Sequence, residues 1–305
     1  MANEQKIADG THAVMRAMAD AHETLRDVLR DLENVDRTVG DSLSKARSLA
    51  ATAEPVRRAE ETAARLEYDA QRTQGEPAAI RERIMEQWND ADMRVRQTFV
   101  DSQRAAGELT SQLGGGLRDL EKLRDDLAAS AGRLKVASTA VGELDQLEGF
   151  AGTDQATQLR ARLGELTAAN TRADTGLQAV MTQLDETRRA AAAFEYGEQP
   201  AVGSFRHSRT IEATSESLTS RVANTRNELR GVGNSIYEGG QGTRAAVGYA
   251  VEVAKQAAQN DADLANAVRA ATIPSRPGER VSGGNGAQDP RLRAEGHSRD
   301  TGHER

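Results

Sequence analysis

Cysteine is absent from the 305 residues, which rules out a disulfide framework and thiolate metal sites. Aromatic residues make up only 3%, too few to build a surface that stacks bases along a nucleic-acid strand. Large apolar side chains are scarce as well: Leu, Ile, Val and Phe together number 52, or 17%. A share below about 20% normally accompanies disorder, and it cannot fill a thick globular core. No run approaches the roughly 18 apolar residues of a membrane span. The richest, residues 245–254, is interrupted by Gly248 and Glu252. The first ten residues carry one lysine and no apolar core, so no secretory signal of the usual kind is expected there, and the cytoplasm is the expected compartment.

What the chain does have is alanine and register. Ala, the best helix former, is the commonest residue at 51. The clearest stretch reads Leu159, Leu163, Leu166, Asn170, Ala173, Leu177, Val180, Leu184, Thr187, Ala191, Phe194. Its steps alternate four and three for five heptads, the seam that makes one helix wrap another. The flanking positions are mostly polar or small, so the stripe is narrow, as in a coiled coil. Asn170 falls at an a position, where a buried Asn can fix register and partner number at some cost in stability. A second seam of the same spacing contains Ile211, Ser215, Leu218, Val222, Thr225, Leu229, Val232 and Ile236. These two seams are the candidate interaction residues: they close on each other within the chain, or they pair with a second copy or another helical protein.

The rest of the chain fits the same plan. A first helix is expected over residues 3–52, with Ile7, Val14, Met18, Leu25, Val28, Leu32, Val35 and Val39 on its seam and Met15, His22, Leu29 and Leu43 as a third column. Three columns in seven suit contact with two neighbours. Pro55 suits the first turn of a new, Ala-rich helix. Gly75 and Pro77 punctuate it before another helix that carries Ile80, Ile84, Trp88, Ala91, Val95, Phe99, Ala106, Leu109 and Leu113, with Trp88 and Phe99 expected in the core. Gly114, Gly115 and Gly116 are expected to end that helix in a tight reversal. Thr153 and Asp154 are candidate caps for the central helix. Gly197–His207 reads as a linker, with Phe205 as a docking contact, and Gly239, Gly240 and Gly242 as the turn of a C-terminal helical hairpin. Beyond Ile273 the periodicity stops and the composition is that of a disordered tail. The expected fold is all-α, an elongated antiparallel helical bundle or coiled coil, divided into a long-helix bundle (1–196), a linker (197–207), a hairpin (208–272) and a tail (273–305).

Catalytic chemistry is not visible. The five histidines, His12, His22, His207, His297 and His303, include no i, i+4 pair to hold a metal. Adjacent carboxylates such as Glu60–Glu61 and Asp125–Asp126 read as solvated helix faces. No nucleophile elbow is present, and the glycines at 239–242 lack the Lys-Ser/Thr of a phosphate loop. No cofactor is expected. The net charge of −7, from 40 basic and 47 acidic groups, disfavours nucleic acid. The helices mix charges and lack bulky anchors, so a membrane surface is not the expected partner. The expected function is a non-enzymatic structural or interaction protein working through helix seams.

The long Ala-rich helices also resemble, in outline, the small helical-hairpin substrates of actinobacterial export systems. That family carries a Trp-x-Gly turn and a Tyr-x-x-x-Asp/Glu export signal. Here Trp88 is followed by Asn89 and Asp90, and the residues four beyond Tyr68, Tyr196, Tyr237 and Tyr249 are Arg72, Pro200, Gln241 and Val253. What this resemblance implies is export without a conventional signal peptide, the alternative to a cytoplasmic interaction protein.

Overall fold

The chain divides into two units, Met1–Ala271 and Thr272–Arg305. The computed structural model describes residues 2–73, 75, 77–147, 152–198 and 206–258, all in the first unit, with side chains described except at 2–5, 7, 8, 155, 243–247 and 249–258. The tail expected at 273–305 and the contact expected from Phe205 lie outside the described residues.

Five helices account for almost all of it: α1 Ala2–Ala51, α2 Ala53–Arg72, α3 Ala78–Leu144, α4 Asp154–Glu195 and α5 Arg206–Ala258. No strand occurs among the described residues. The joint between α1 and α2 has a local cause. Pro55 has no N–H to give the carbonyl of Ala51, and its ring crowds that carbonyl, so the hydrogen-bond ladder stops there. Thr52 nevertheless keeps helical angles (φ −78°, ψ −15°). Its N–H donates to the Leu49 carbonyl at 3.1 Å, and its hydroxyl lies 2.8 Å from the Ser102 hydroxyl of α3. The two helices therefore pass through the joint as one rod.

Cross-helix pairs fix the packing. On the rod and α3, Lys45 meets Glu108, Asp31 meets Lys122, the Asp20 carbonyl meets Arg133 and Gly10 meets Leu144. In each pair the two residue numbers add to 153 or 154, so the helices run antiparallel with a register that never slips. The Thr52–Ser102 contact at the joint obeys the same rule, and the buried series Leu49, Ala53, Val56, Glu60 and Ala63 keeps its 4-3 spacing past Pro55, so the proline interrupts hydrogen bonding without breaking the phase of the seam. Between α4 and α5, Gly176–Val232, Ala169–Gly239 and Leu166–Gly242 all add to 408. α1 packs on α3 and α5, and α4 packs on the same two. The result is an up-down-up-down four-helix bundle, the arrangement that consecutive helices with short connections favour.

Two buried clusters line its axis. The larger runs from Leu25 to Val56 on the rod, Val95 to Leu127 on α3, Ala173 to Phe194 on α4 and Ile211 to Ile236 on α5. The smaller joins Val14–Ala21, Leu134–Leu144 and Ala156–Leu166. Between them lie Ser130, 0% exposed, and Asn170, 6% exposed. Asn170 Nδ2 donates to the Leu127 carbonyl at 3.3 Å, while its Oδ1 and the Ser130 hydroxyl have no partner. A polar layer thus divides the core.

The structure corrects several expectations. Gly114–Gly116 do not end a helix: α3 runs through them for 67 residues, roughly 100 Å. Gly116 is buried with Leu184 3.4 Å from where a Cβ would stand. The seam residues Leu109, Leu113, Gly116, Leu120 and Leu123 keep heptad spacing across the glycines and are all buried. Continuous burial on both sides outweighs a propensity cost of about 1 kcal/mol per glycine. The hairpin turn expected at 239–242 is likewise helix, because α5 continues through Gly239, Gly240 and Gly242 to Ala258. Gly239 and Gly242 there lie close to Ala169 and Leu166 of α4. Arg206 and His207, read as linker, already belong to α5. Phe99 is in the core as expected, but Ile80 is 43% exposed and Trp88 only half-buried. The cap at Thr153 is present: its hydroxyl accepts from the Ala156 N–H at 3.2 Å.

Candidate interaction surface

The predicted seam residues are all internal. Leu159, Leu163, Leu166, Leu177, Val180, Leu184 and Phe194 on α4, and Ile211, Leu218, Val222, Leu229 and Ile236 on α5, are no more than 7% exposed, as is Asn170. They face α1, α3 and each other within one chain. Of the two outcomes open to the seams, this fold takes the intramolecular one.

One charged cluster is buried that the sequence reading assigned to solvent. Glu60 is 2% exposed and His207 is 0%. The carboxylate of Glu60 accepts the N–H of His207 at 3.0 Å and that of Ser208 at 3.4 Å, and the Ser208 hydroxyl donates to it at 2.5 Å. His207 Nδ1 lies 3.2 Å from the same carboxylate. These N–H groups belong to the first turn of α5, where helix donors lack intrahelical partners, and a negative charge there also meets the favourable end of the helix dipole. Glu60 is therefore a cap supplied by another helix. The His207 ring packs edge-on to Phe99, centroids 5.0 Å apart, and Phe99 in turn meets Phe194 at 5.6 Å. This knot fixes the end of α4 and the start of α5 to the rod and α3. Its signal in the sequence is spacing: Leu49, Ala53, Val56, Glu60 and Ala63 continue the 4-3 steps of the first seam, so Glu60 stands where an apolar residue belongs. The ring and carboxylate are packed inside with no described opening to a substrate, and the cluster reads as structure.

A clasp between α1 and α5 lies farther along. Arg226 donates to both oxygens of Asp36, each at 2.9 Å, over Gly40. Hydrogen bonding from Arg226, aided by its charge and that of Arg230, holds the Asp36 carboxyl below its ordinary range. Among the described residues no cluster of three or more His, Asp or Glu is placed to hold a metal, and no helix is long and apolar enough to cross a membrane.

Beyond the knot the bundle loses two of its four helices. α4 ends at Glu195 and α5 begins at Arg206, yet α2 continues to Arg72 and α3 starts at Ala78. Among the described residues, the segment from about residue 61 to residue 93 is consequently a two-helix projection. Its apolar side chains are incompletely covered: Tyr68 is 58% exposed, Ile80 43%, Met85 46% and Met93 65%. Trp88 sits half-buried among them, its indole N–H without a hydrogen-bond partner. The expectation placed Trp88 in the core; among the described residues neither α4 nor α5 reaches far enough to supply the core it would join.

No family model, curated protein or solved structure matches this chain. Its functional reading rests on its own geometry.

Proposed function

We propose that the protein is a non-enzymatic helical interaction protein whose contacts with other chains are made by the α2–α3 projection. The observation that carries this reading is the pairing of two facts: the heptad seams are used up inside the bundle, and, among the described residues, four of the seven exposed large apolar side chains, Tyr68, Ile80, Met85 and Met93, gather on the projection. An uncovered pair of helices carrying a half-buried Trp and two Met offers what a helical partner needs: a rigid aromatic anchor with adaptable side chains around it. The bundle below serves as a stalk that holds this pair at one end. The cytoplasmic compartment remains part of the proposal and is read by fractionation.

The test is site-specific photo-crosslinking of the full chain. A benzophenone amino acid replaces Met85 on the projection or, as control, Val136, which is 58% exposed on the bundle shaft. The expected result is discrete adducts from position 85 and only diffuse background from position 136. Equal patterns from both positions would remove the basis for the proposal.

A further inference from the structure

The two buried clusters meet at one level of the bundle. There α3 supplies Ser130, α4 supplies Asn170 and α5 supplies Gly239, all buried. Leu25 of α1 and Ala169 of α4 close on Gly239, 3.7 Å and 3.4 Å from where a Cβ would stand. A serine, an asparagine and a glycine bury little apolar surface, so this level adds little of the burial that couples one layer to the next. It also carries a cost. The Ser130 hydroxyl and Asn170 Oδ1 are buried without partners, and both gain water when the layer parts.

Two further features fall unequally on the two sides of this level. The first is helix propensity. In the section beyond it, Gly132 and Gly142 of α3, Gly164 of α4 and Gly240 and Gly248 of α5 stand within helices with no atom within 4 Å of an added Cβ. Nothing packs on them to offset the helix stability they give up relative to alanine. Among the described helical glycines of the larger section, Gly231 alone stands so clear. The second is interlocking. The buried Glu60 cap and the Asp36–Arg226 clasp both belong to the larger section. The smaller section has exposed ties, Arg133 to the Asp20 carbonyl and Arg160 to Asp145, each at 2.9 Å, of the kind that contributes little.

We infer that the bundle opens in two steps, with the section on the far side of the Ser130–Asn170–Gly239 layer separating as one unit while the larger section stays folded. That unit comprises α1 up to Ala21, α3 beyond Ser130, α4 up to Asn170 and α5 beyond Gly239. Its opening bares Val14, Met18, Leu134, Val141, Leu159 and Leu163, all buried in the closed bundle. The knot at Glu60 and the projection keep their shape, because every layer that holds them lies on the other side. The device is independent of what the projection binds.

Hydrogen exchange of the full chain in low urea tests it. Amides at Val14–Ala21, Leu134–Leu144 and Leu159–Leu166 are expected to share one level of protection, at least about a hundredfold below that of Leu109–Leu127 and Leu177–Leu184. Their exchange should depend less steeply on urea, since a partial opening exposes less surface. Gly164→Ala on α4 is expected to slow exchange about fivefold across the unit, on α1 and α3 as well as on α4. Glu60→Ala destabilises only the larger section: it should speed the Leu109–Leu127 amides at least about tenfold and leave those of the unit within about twofold of the parent. Protection that rises steadily with distance from the α3–α4 turn would mean simple fraying and overturns the inference. So does a single urea dependence for both sections, an effect of Gly164→Ala confined to α4, or equal acceleration of both sections by Glu60→Ala.

Discussion

Replacing Glu60 by Ala tests the central knot. The carboxylate holds two backbone N–H groups and the hydroxyl of Ser208, with the His207 ring 3.2 Å away, all at a site 2% exposed. Leaving the two buried N–H groups unsatisfied costs about 1–3 kcal/mol each. Relief from desolvating a carboxylate offsets part of this. The expected net loss is about 3 kcal/mol, in line with breaking one side of a buried charged contact. With a urea slope of about 3 kcal/mol per molar, the unfolding midpoint falls by about 1 M. Glu60→Gln keeps the shape and one acceptor and is expected to lose about half as much. Glu61→Ala, one position on and exposed, is the control and stays within about 0.5 kcal/mol of the parent. Hydrogen exchange supplies the local readout: amides from His207 to Ile211 lose protection in Glu60→Ala before those of Leu218 to Leu229. A midpoint unchanged by Glu60→Ala, with the first turn of α5 still protected, would refute the capping argument.

Three further outcomes are expected. Asn170→Leu should raise stability by about 1 kcal/mol or more, because one long hydrogen bond is lost while a buried unpaired oxygen is removed; a fall in the urea midpoint would mean that the polar layer stabilises this fold. Gly115→Ala, whose nearest neighbour is Arg118 at 3.9 Å from the new Cβ, should stabilise by close to 1 kcal/mol through helix propensity. Gly176→Ala should destabilise by about 1 kcal/mol or more, since its Cβ would stand 2.8 Å from Val232; thermal melts of the pair should move in opposite directions. For acid unfolding, the Asp36 carboxyl is lowered in the folded state, so its contribution is present above the ordinary carboxylate value near 3.8 and is lost as pH falls through its folded value. Partial exposure limits that contribution to about 1 kcal/mol. Arg226→Leu should remove it, and the gap between variant and parent midpoints should close below about pH 4.

The helical class and the register of each seam were readable because a four-three alternation of apolar residues has one physical solution. All of the large apolar residues picked from the two seams, Leu159 to Phe194 and Ile211 to Ile236, are buried where the spacing put them. Helix ends were harder. Three glycines in a row at 114–116 look like a stop to local propensity, yet the seam on either side stays in phase, and phase proved the better guide. The same holds at Gly239 and Gly242, which stand beside α4 instead of starting a turn. Glu60 was misread for the opposite reason. Its chemistry suggested solvent, but its place in the 4-3 series was an interior one, and only the arrival of α5's first turn explains a carboxylate there. The projection could not be read from spacing alone. It exists because α4 ends at Glu195 and α5 begins at Arg206 while α2 and α3 run on, a mismatch that appears only when the four are aligned side by side.

That mismatch, with the constant pairing sums, sets which changes of length the chain can absorb. A residue added to or lost from α3 in the four-helix section would rotate every later layer by about 100° and slide it past three partners. Tolerated changes there must come as whole heptads removed at the same level from all four helices. On the projection only α2 and α3 need to agree, so seven residues from each can go or come without disturbing α4 or α5. Among relatives of this chain, length differences should therefore collect around residues 61–93 in matched steps of seven, and the reach of the α2–α3 pair beyond the four-helix section becomes the property most open to adjustment.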